Sequence, residues 1–531
     1  AIKNSFRIRD IDETFGKTQG DGMQLCRRLF LYLPRKNHVC MKYLFTLAFV
    51  LLGVQQLLAQ AIKPISPVPG PAQWRWQSLQ MITIVHFGLN TFTNQEWGYG
   101  DVSPDRFQPR HFDADQVVRA AKAAGIKGII LVAKHHDGFC LWPTKTTNYQ
   151  IGASSWMNGK GDVVRAFADA CRREGLAFGL YCSPWDRHSA DYGTYRYVQL
   201  YREQWRELAT QYGPLFECWF DGANGGSGYY GGARESRIID RSHYYGWDTT
   251  WTLIRRWQPG AVIFSDVGPD VRWVGNERGY AADSTWETFT PQGPDHQPPA
   301  PGHVLTRYSP YGTDRGKYWM PAECDVPLRP GWFYHPADEG KQKTPEQLWE
   351  IYVHSVGRGG VMNLGLAPTT DGVLDTQDVR VLHTFGKWLQ QAFSRNLVKQ
   401  AQLQTSLDSH SSSTQELMPL LTDGNDTTDW ITPDSTDDLN FTLRWKQPQT
   451  FTLVQLKEDI RYGQHIRWVR VEALTDNGWQ LLARVSGIGA NRIIELETPI
   501  AAQALRLHIH TRAGCALSEL GVYDFPHPGA H

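Results

Sequence analysis

From Pro71 to Gln391 short continuous apolar runs alternate with longer amphipathic stretches. The run "MITIVHFGLN" (81–90) precedes a helical pattern near "DADQVVRAAKAAG" (113–125), and "GIILVAKHHDGF" (128–139) precedes "DVVRAFADACRREG" (162–175). "LAFGLYCSPWD" (176–186) leads into "YVQLYREQWRELATQYG" (197–213), and "LFECWFDGANG", "AVIFSDVG" (261–268) and "GGVMNLGLAP" (359–368) extend the series. Strands apolar on both faces, each followed by a helix, predict a parallel sheet covered on both sides. So many units over 71–402 predict a (β/α)8-like barrel with an irregular or missing helix rather than an open sheet. No G-x-G-x-x-G follows the first run, which argues against a dinucleotide fold. Polar residues gather where each strand ends: His86, His135-His136-Asp137, Tyr181, Asp221 and Asp266. In a barrel those ends form the face on which active sites are built.

After "LHTFGKWLQQAFSRNLV" (382–398) the period changes. A Ser/Thr/Asp-rich stretch gives way to alternating runs, "LNFTLRW", "FTLVQLKE", "IRWVRVEAL", "WQLLARV", "RIIELE", "ALRLHIH" and "LSELGVYDF". Period-two strands at short spacing predict an antiparallel β-sandwich over 403–531. At the other end, "MKYLFTLAFVLLGVQQLLAQ" (41–60) has a basic start, an apolar core and a cleavage region before Ala61. It reads as a signal peptide, so the mature protein is expected to be exported, periplasmic or secreted, with no transmembrane segment. Residues 1–40 show no hydrophobic periodicity and read as upstream, non-native translation.

Charge narrows the partners. Lys+Arg and Asp+Glu are both 54, so nothing recommends nucleic acid or an anionic membrane. Aromatics are abundant, with 21 Trp and 22 Tyr, whose flat apolar faces can stack on sugar rings as well as fill cores. Cys140, Cys171, Cys182 and Cys218 lie on or beside apolar runs without a C-x-x-C pair, and read as buried free thiols.

Two chemistries fit such a strand-end cluster. A metal hydrolase would ligate through "KHHDG", but adjacent His135 and His136 point to opposite sides of an extended strand, and no H-E-x-x-H accompanies them. A retaining glycosidase needs two carboxyls, one to attack the anomeric carbon and one to protonate the departing oxygen. Asp221, at a strand end with Trp219 before it and glycines after it, suits the nucleophile; the alternative is a helix cap. Asp266, Asp270, Glu277, Glu287 and Glu323 all remain open as its partner.

"HFGLNTFTNQEWGYG", "LVAKHHDGFCLWPTKTTNY", "LYCSPWD", "WFDGANG", "GPDVRWVGNE" and "PGWFYHP" resemble, in order, the motifs of the α-L-fucosidases of glycoside hydrolase family 29. The pairing of "WFDGANG" with "GPDVRWVGNE" is most similar to the branch acting on α-1,3/1,4 linkages. The resemblance implies an exo-acting, retaining hydrolase of fucosylated oligosaccharides or glycoproteins, with no catalytic cofactor. Asp221 would be its nucleophile and Glu277 its acid/base. His86, Glu96, Trp97, His135, His136 and Tyr181 would hold the fucose, with Trp219 and Trp332 as apolar walls. Loops around Trp273 and Trp286 are expected to reach a further sugar. A broad-specificity fucosidase, or an inactive glycan-binding surface protein, is the alternative. The C-terminal "LTDGNDTTDW" (421–430) and "LSELGVYDF" (517–525) resemble discoidin-like, factor 5/8 type C and carbohydrate-binding modules, which makes Asp423 and Glu519 candidates for a structural calcium.

Overall fold

The computed structural model describes residues 62–406 and 414–525; the leader segments 1–40 and 41–60 lie outside them. The barrel strands are β1 (Met81–Val85), β2 (Gly128–Lys134), β3 (Ala177–Cys182), β4 (Glu217–Trp219), β5 (Val262–Ser265), β6 (Val271–Trp273), β7 (Ala322–Pro327) and β8 (Val361–Leu366). They close in sequence order, each parallel to its neighbours, with β1 pairing β8. Helices α1 (Ala114–Ala123), α2 (Val163–Glu174), α3 (Tyr195–Gln211), α4 (Trp247–Trp257), α5 (Pro345–Ser355) and α6 (Thr376–Ala392) cover the outside. Local chemistry starts several of them: the Asp113, Asp162, Thr344 and Asp375 side chains accept from first-turn backbone N–H groups. The β5–β6 and β6–β7 connections carry no α-helix, so the irregularity expected of the barrel falls there.

Period-two alternation divides the strand residues between two cores. Ile82, Ile84, Ile130, Val132, Tyr181 and Phe264 pack inside the barrel, while Met81, Val85, Ile129, Leu131 and Leu180 pack against the helices. On β4 the same parity turns Glu217 and Trp219 inward, with Cys218 and Phe220 outward. Asp221, two residues beyond Trp219, continues the inward row.

Strands β6 and β7 escaped the sequence pattern for a physical reason. β7 reads "AECDVP" with Glu323 and Asp325 both buried, and β6 is "VRW" with buried Arg272. Neither forms an apolar run: the inward row of β7 is carboxyl, and β6, with Val271 and Trp273 inward, is only three residues long and turns Arg272 out to the Ser309, Met320 and Trp286 carbonyls.

The C-terminal module is antiparallel: β9 (Gln402–Thr405), β10 (Trp430–Ile431), β11 (Asp438–Glu458), β12 (Ile466–Thr475), β13 (Gly478–Ser486), β14 (Arg492–Thr511) and β15 (Ala516–Tyr523). The order is β10-β15-β11-β14-β12-β13, with β9 on β11. Runs expected as separate strands are fused: "LNFTLRW" and "FTLVQLKE" form β11, "RIIELE" and "ALRLHIH" form β14, and register shifts after Arg444 and Phe451 mark the joints. Its core already includes Leu397 and Val398. Leu453, Ile493, Tyr523 and Phe525 join the barrel's outer core, and the Trp349 indole donates to Glu495 across 2.7 Å. The sandwich is therefore docked on the barrel through apolar packing as well as polar bonds. Cys140, Cys171, Cys182, Cys218, Cys324 and Cys515 are buried free thiols. Among the described residues no helix is long and apolar enough to cross a membrane.

Candidate active site

The C-terminal strand ends surround a cavity of about 270 Å³. Its walls include His86, Trp97, His135, His136, Tyr181, Trp219, Asp221, Glu277 and Trp332, all named from the sequence. Phe264, Asp266, Trp273 and Asp325 complete the deep part. Asp325 was invisible to sequence reasoning because its strand lacks an apolar signature.

Asp221 is held from two sides. Tyr181 Oη donates to its Oδ2 at 2.9 Å, and the Ala223 backbone N–H donates to its Oδ1 at 2.7 Å. Burial raises its carboxyl above the ordinary aspartate range, while these two donors pull it back down. Asp221 is thus oriented by donors that favour its charged form, not used as a helix cap.

The five candidates for the second carboxyl separate by location. Glu323 accepts from the Trp219 indole and the Asn363 amide inside the barrel. Glu287 accepts from Gln77 and from the Ala490 N–H at the junction with the sandwich. Asp270 pairs with Arg255 at 2.7 Å. Of the five, Glu277 and Asp266 line the cavity. Asp266 is spent on a loop: both its oxygens accept from the Gly302 N–H, at 3.2 and 3.0 Å. Burial, with the Asp221 charge adding to it, pushes Asp266 up to about 7. Glu277 is raised too, by burial first, while the Trp332 side chain donates to it and Asp221 and Glu96 add repulsion.

The adjacent histidines are reconciled by local backbone. A register shift between Val132 and Lys134 ends the regular strand, and a turn closed by Gly138 N–H to His135 C=O follows at 3.0 Å. The two imidazoles then reach the same cavity with ring centres 4.1 Å apart. Lys134, turned outward, is buried against Gln204 and Tyr197 on α3. Burial pushes His86 and His136 down to about 3, and His135 well below its usual value, so all three are neutral at neutral pH. Ser183 Oγ donates to the Trp185 carbonyl at 2.8 Å, so it accepts from His136 Nδ1–H at 2.7 Å. That leaves His136 Nε2 as a bare acceptor, 3.8 Å from Asp221 Oδ2. His86 Nδ1 is buried without a protein partner among the described residues. Neutral imidazoles with one free nitrogen suit vicinal hydroxyls better than they suit charge.

Two expected residues stand elsewhere. Glu96 does not line the cavity; its carboxylate accepts from the Trp332 and Phe333 N–H groups, each at 3.1 Å, and contacts His335 Nε2 at 2.7 Å. It fixes the loop that carries Trp332. Trp286 stacks under the Arg512 guanidinium, 4.9 Å away at the junction with the sandwich, so of the two tryptophans expected to reach a further sugar Trp273 alone lines the cavity. Segment 225–237 forms a ribbon, Gly226–Gly228 with Glu235–Arg237, tied to Arg187 and Tyr99 rather than lining the cavity. Trp97 is the most open wall at 54% exposure, its edge against His136 and Trp185.

Asp423 and Glu519 come together far along the chain, in the loop before β10 and on β15. Glu519 accepts from the Gly424 N–H, and Asp423 from Asn425 N–H and Thr428 Oγ1. Burial, with Asp423 and Asp426 adding repulsion, pushes Glu519 up to about 7. Among the described residues no three His, Cys, Asp or Glu side chains converge as metal ligands.

Comparison with known proteins agrees with this arrangement. A family model described as alpha-L-fucosidase matches residues 59–392. Putative alpha-L-fucosidase 1 of Oryza sativa subsp. japonica is 39% identical over 463 residues, covering 87% of this chain and 86% of the relative. Alpha-L-fucosidase 1 of Arabidopsis thaliana is 37% identical over 491 residues, covering 90% and 93%. Among solved structures, a glycoside hydrolase 29 family member from an unknown rumen bacterium superposes with TM-score 0.77 at 38% identity, covering 88% of this chain and 78% of that one. A Ruminococcus gnavus GH29 fucosidase, solved with fucose, gives TM-score 0.76 at 28% identity, covering 88% and 97%. With the barrel, the paired carboxyls and these relatives in agreement, the chain belongs to the α-L-fucosidases of glycoside hydrolase family 29.

Proposed function

We propose that this α-L-fucosidase works with retention, removing terminal α-1,3- or α-1,4-linked fucose from Lewis-type oligosaccharides and glycoconjugates. The observation that carries the mechanism is Asp221, oriented by Tyr181 and the Ala223 N–H in the cavity that Glu277 also lines. Asp221 Oδ attacks the anomeric carbon as the glycosidic bond breaks, and the departing oxygen takes the Glu277 proton. Glu277, now ionised, removes a proton from water, whose oxygen attacks the same carbon and releases Asp221. Protons balance over the two steps, and no cofactor enters. His86, His135 and His136 donate to and accept from the sugar hydroxyls, while Trp219 and Trp332 cover its apolar side. Trp273, which lines the cavity with Glu277, supports the linkage preference together with the "WFDGANG…GPDVRWVGNE" resemblance.

Proton NMR of the first turnovers decides the stereochemistry: α-L-fucose should appear before its β anomer, and initial β-L-fucose would reject retention. Glu277→Ala should lose most rate on oligosaccharides and least on activated aryl fucosides, with azide restoring turnover as α-fucosyl azide. For linkage, kcat/KM on Lewis a and Lewis x trisaccharides should exceed that on 2′-fucosyllactose at least tenfold, which is about 1.4 kcal/mol. Equal rates would assign broad specificity. The apolar 41–60 leader supports export to the periplasm or medium. The burial that raises Glu519, with repulsion from Asp423 and Asp426 adding to it, supports a structural calcium beside Asp423.

A further inference from the structure

Below the cavity, the barrel axis holds carboxyls that the reaction does not use. Glu217 on β4 and Glu323 and Asp325 on β7 are all buried, and Asp325 alone of them reaches the cavity floor. β4 and β7 are not neighbours in the barrel, so the Glu217–Glu323 contact crosses its interior. The donors around them are all neutral. Trp76 Nε1 donates to Glu217 Oε2 at 2.7 Å, Trp219 Nε1 to Glu323 Oε1 at 2.8 Å, and Asn363 Nδ2 to Glu323 Oε1 at 2.8 Å and Asp325 Oδ1 at 2.9 Å. Glu217 Oε1 and Glu323 Oε2 accept from none of these groups. Yet the Glu217 and Asp325 carboxyls lie within hydrogen-bonding reach of Glu323, and Asn363 Nδ2 bridges Glu323 and Asp325.

An ionised carboxylate only accepts, so a hydrogen bond between two carboxyls requires a proton on one of them. Two such bonds require two protons. We propose that Glu217 and Asp325 are carboxylic acids that both donate to a single Glu323 carboxylate, and that this column is a positioning device for the sugar cavity. Four donors then converge on Glu323: the Trp219 indole, the Asn363 amide and the two acid O–H groups. The otherwise unpaired Glu217 Oε1 and Glu323 Oε2 are satisfied by the first acid. Electrostatics selects the same arrangement. Two unit charges about 4 Å apart repel by about 4 kcal/mol at an effective dielectric of 20, and no cation is among the strongest influences on these carboxyls. Burial and the neighbouring Glu323 drive Glu217 and Asp325 well above the carboxylate range, with Glu277 adding to the rise of Asp325. Donation from both neighbours restrains Glu323, the middle member.

The column has two consequences for the site. It pins the Trp219 indole, whose ring stacks on Phe264 at 4.3 Å as part of the wall. It also presents Asp325 to the cavity as a neutral group, so no further negative charge faces Asp221 and Glu277 from the floor.

Difference infrared spectra at neutral pH test the proton count without substrate, and so independently of the retaining assignment. The wild type should show protonated-carboxyl C=O bands that shift in D2O. Glu217→Gln and Asp325→Asn should each delete one band, since the amide replaces the acid as donor. Glu217→Gln should also keep kcat and KM for an aryl fucoside within about threefold. Glu323→Gln places an N–H2 where four donors converge, so it should raise KM at least tenfold and lower Tm far more than Glu217→Gln does. If that variant does not fold, the band count in the other two still decides. Absence of any band lost in Glu217→Gln or Asp325→Asn, or a Glu323→Gln enzyme as active as Glu217→Gln, overturns the proposal.

Discussion

In the proposed mechanism Asp221 and Glu277 hold opposite protonation states for the first step, and burial raises both. What separates them is the donors each receives. Tyr181 lowers Asp221 by bonding its charged form, so Tyr181→Phe should raise the Asp221 pKa. Less of Asp221 is then ionised at low pH, and, if it is the nucleophile proposed above, the acid limb of the kcat/KM profile should move to higher pH, with the basic limb unmoved. A purely structural role for Tyr181 would lower both limbs together. Parity made Asp221 legible in the sequence: "ECWFD" places Glu217, Trp219 and Asp221 on one face, and the glycine-rich segment behind leaves the cavity open. Glu277 was not separable from Glu287, Glu323 and the aspartates by local pattern. What separates them is tertiary: Glu287 faces the sandwich and Glu323 faces Trp219. Glu96 illustrates the converse, a motif residue that acts through the loop it fixes rather than on the cavity.

At the scale of elements, strands that form continuous apolar runs were readable, and those cut short or interrupted by buried charged residues were not. β1, β2 and β3 are buried almost throughout and announce themselves as apolar runs. β7 is as buried, but its inward row is Glu323 and Asp325, so burial there leaves no hydrophobic trace. Long strands in the sandwich were cut in two because register shifts interrupt their alternation. The loop before β10 carries the calcium expectation as a testable element. Lys457 already pairs with Asp426 at 3.0 Å, while Glu519 stays raised by burial, with Asp423 and Asp426 adding repulsion. EDTA should therefore lower Tm, calcium should restore it, and the initial rate on an aryl fucoside should not change. An unchanged Tm removes calcium from Asp423 and Glu519; an immediate loss of rate restored by zinc or manganese would instead revive a catalytic metal at His135 and His136.

Among the described residues several carboxyls are buried without a salt bridge, and this ties the stability of the molecule to pH. Asp137 and Asp266 in the barrel, Glu287 at the junction and Glu458 in the sandwich are each pushed up to about 7, with burial the largest cause in every case. Unfolded, such groups release their protons near 4. Between about pH 4 and 7 the folded chain therefore holds more protons than the unfolded one, and its stability falls as pH rises. Below that window both states are protonated and the contribution is fully present; above it the loss is complete. Tm should accordingly decline from about pH 5 to about pH 7.5. Glu287 is the informative position, because its oxygens accept from Gln77 on the barrel side and the Ala490 N–H on the sandwich side. Glu287→Gln keeps a neutral acceptor there and removes one of the protons released on unfolding. Its Tm should fall less steeply over the same window, with the two curves converging at the acid end. A wild-type Tm that rises with pH, or a variant with an identical slope, would show that these carboxyls are ionised in the folded chain.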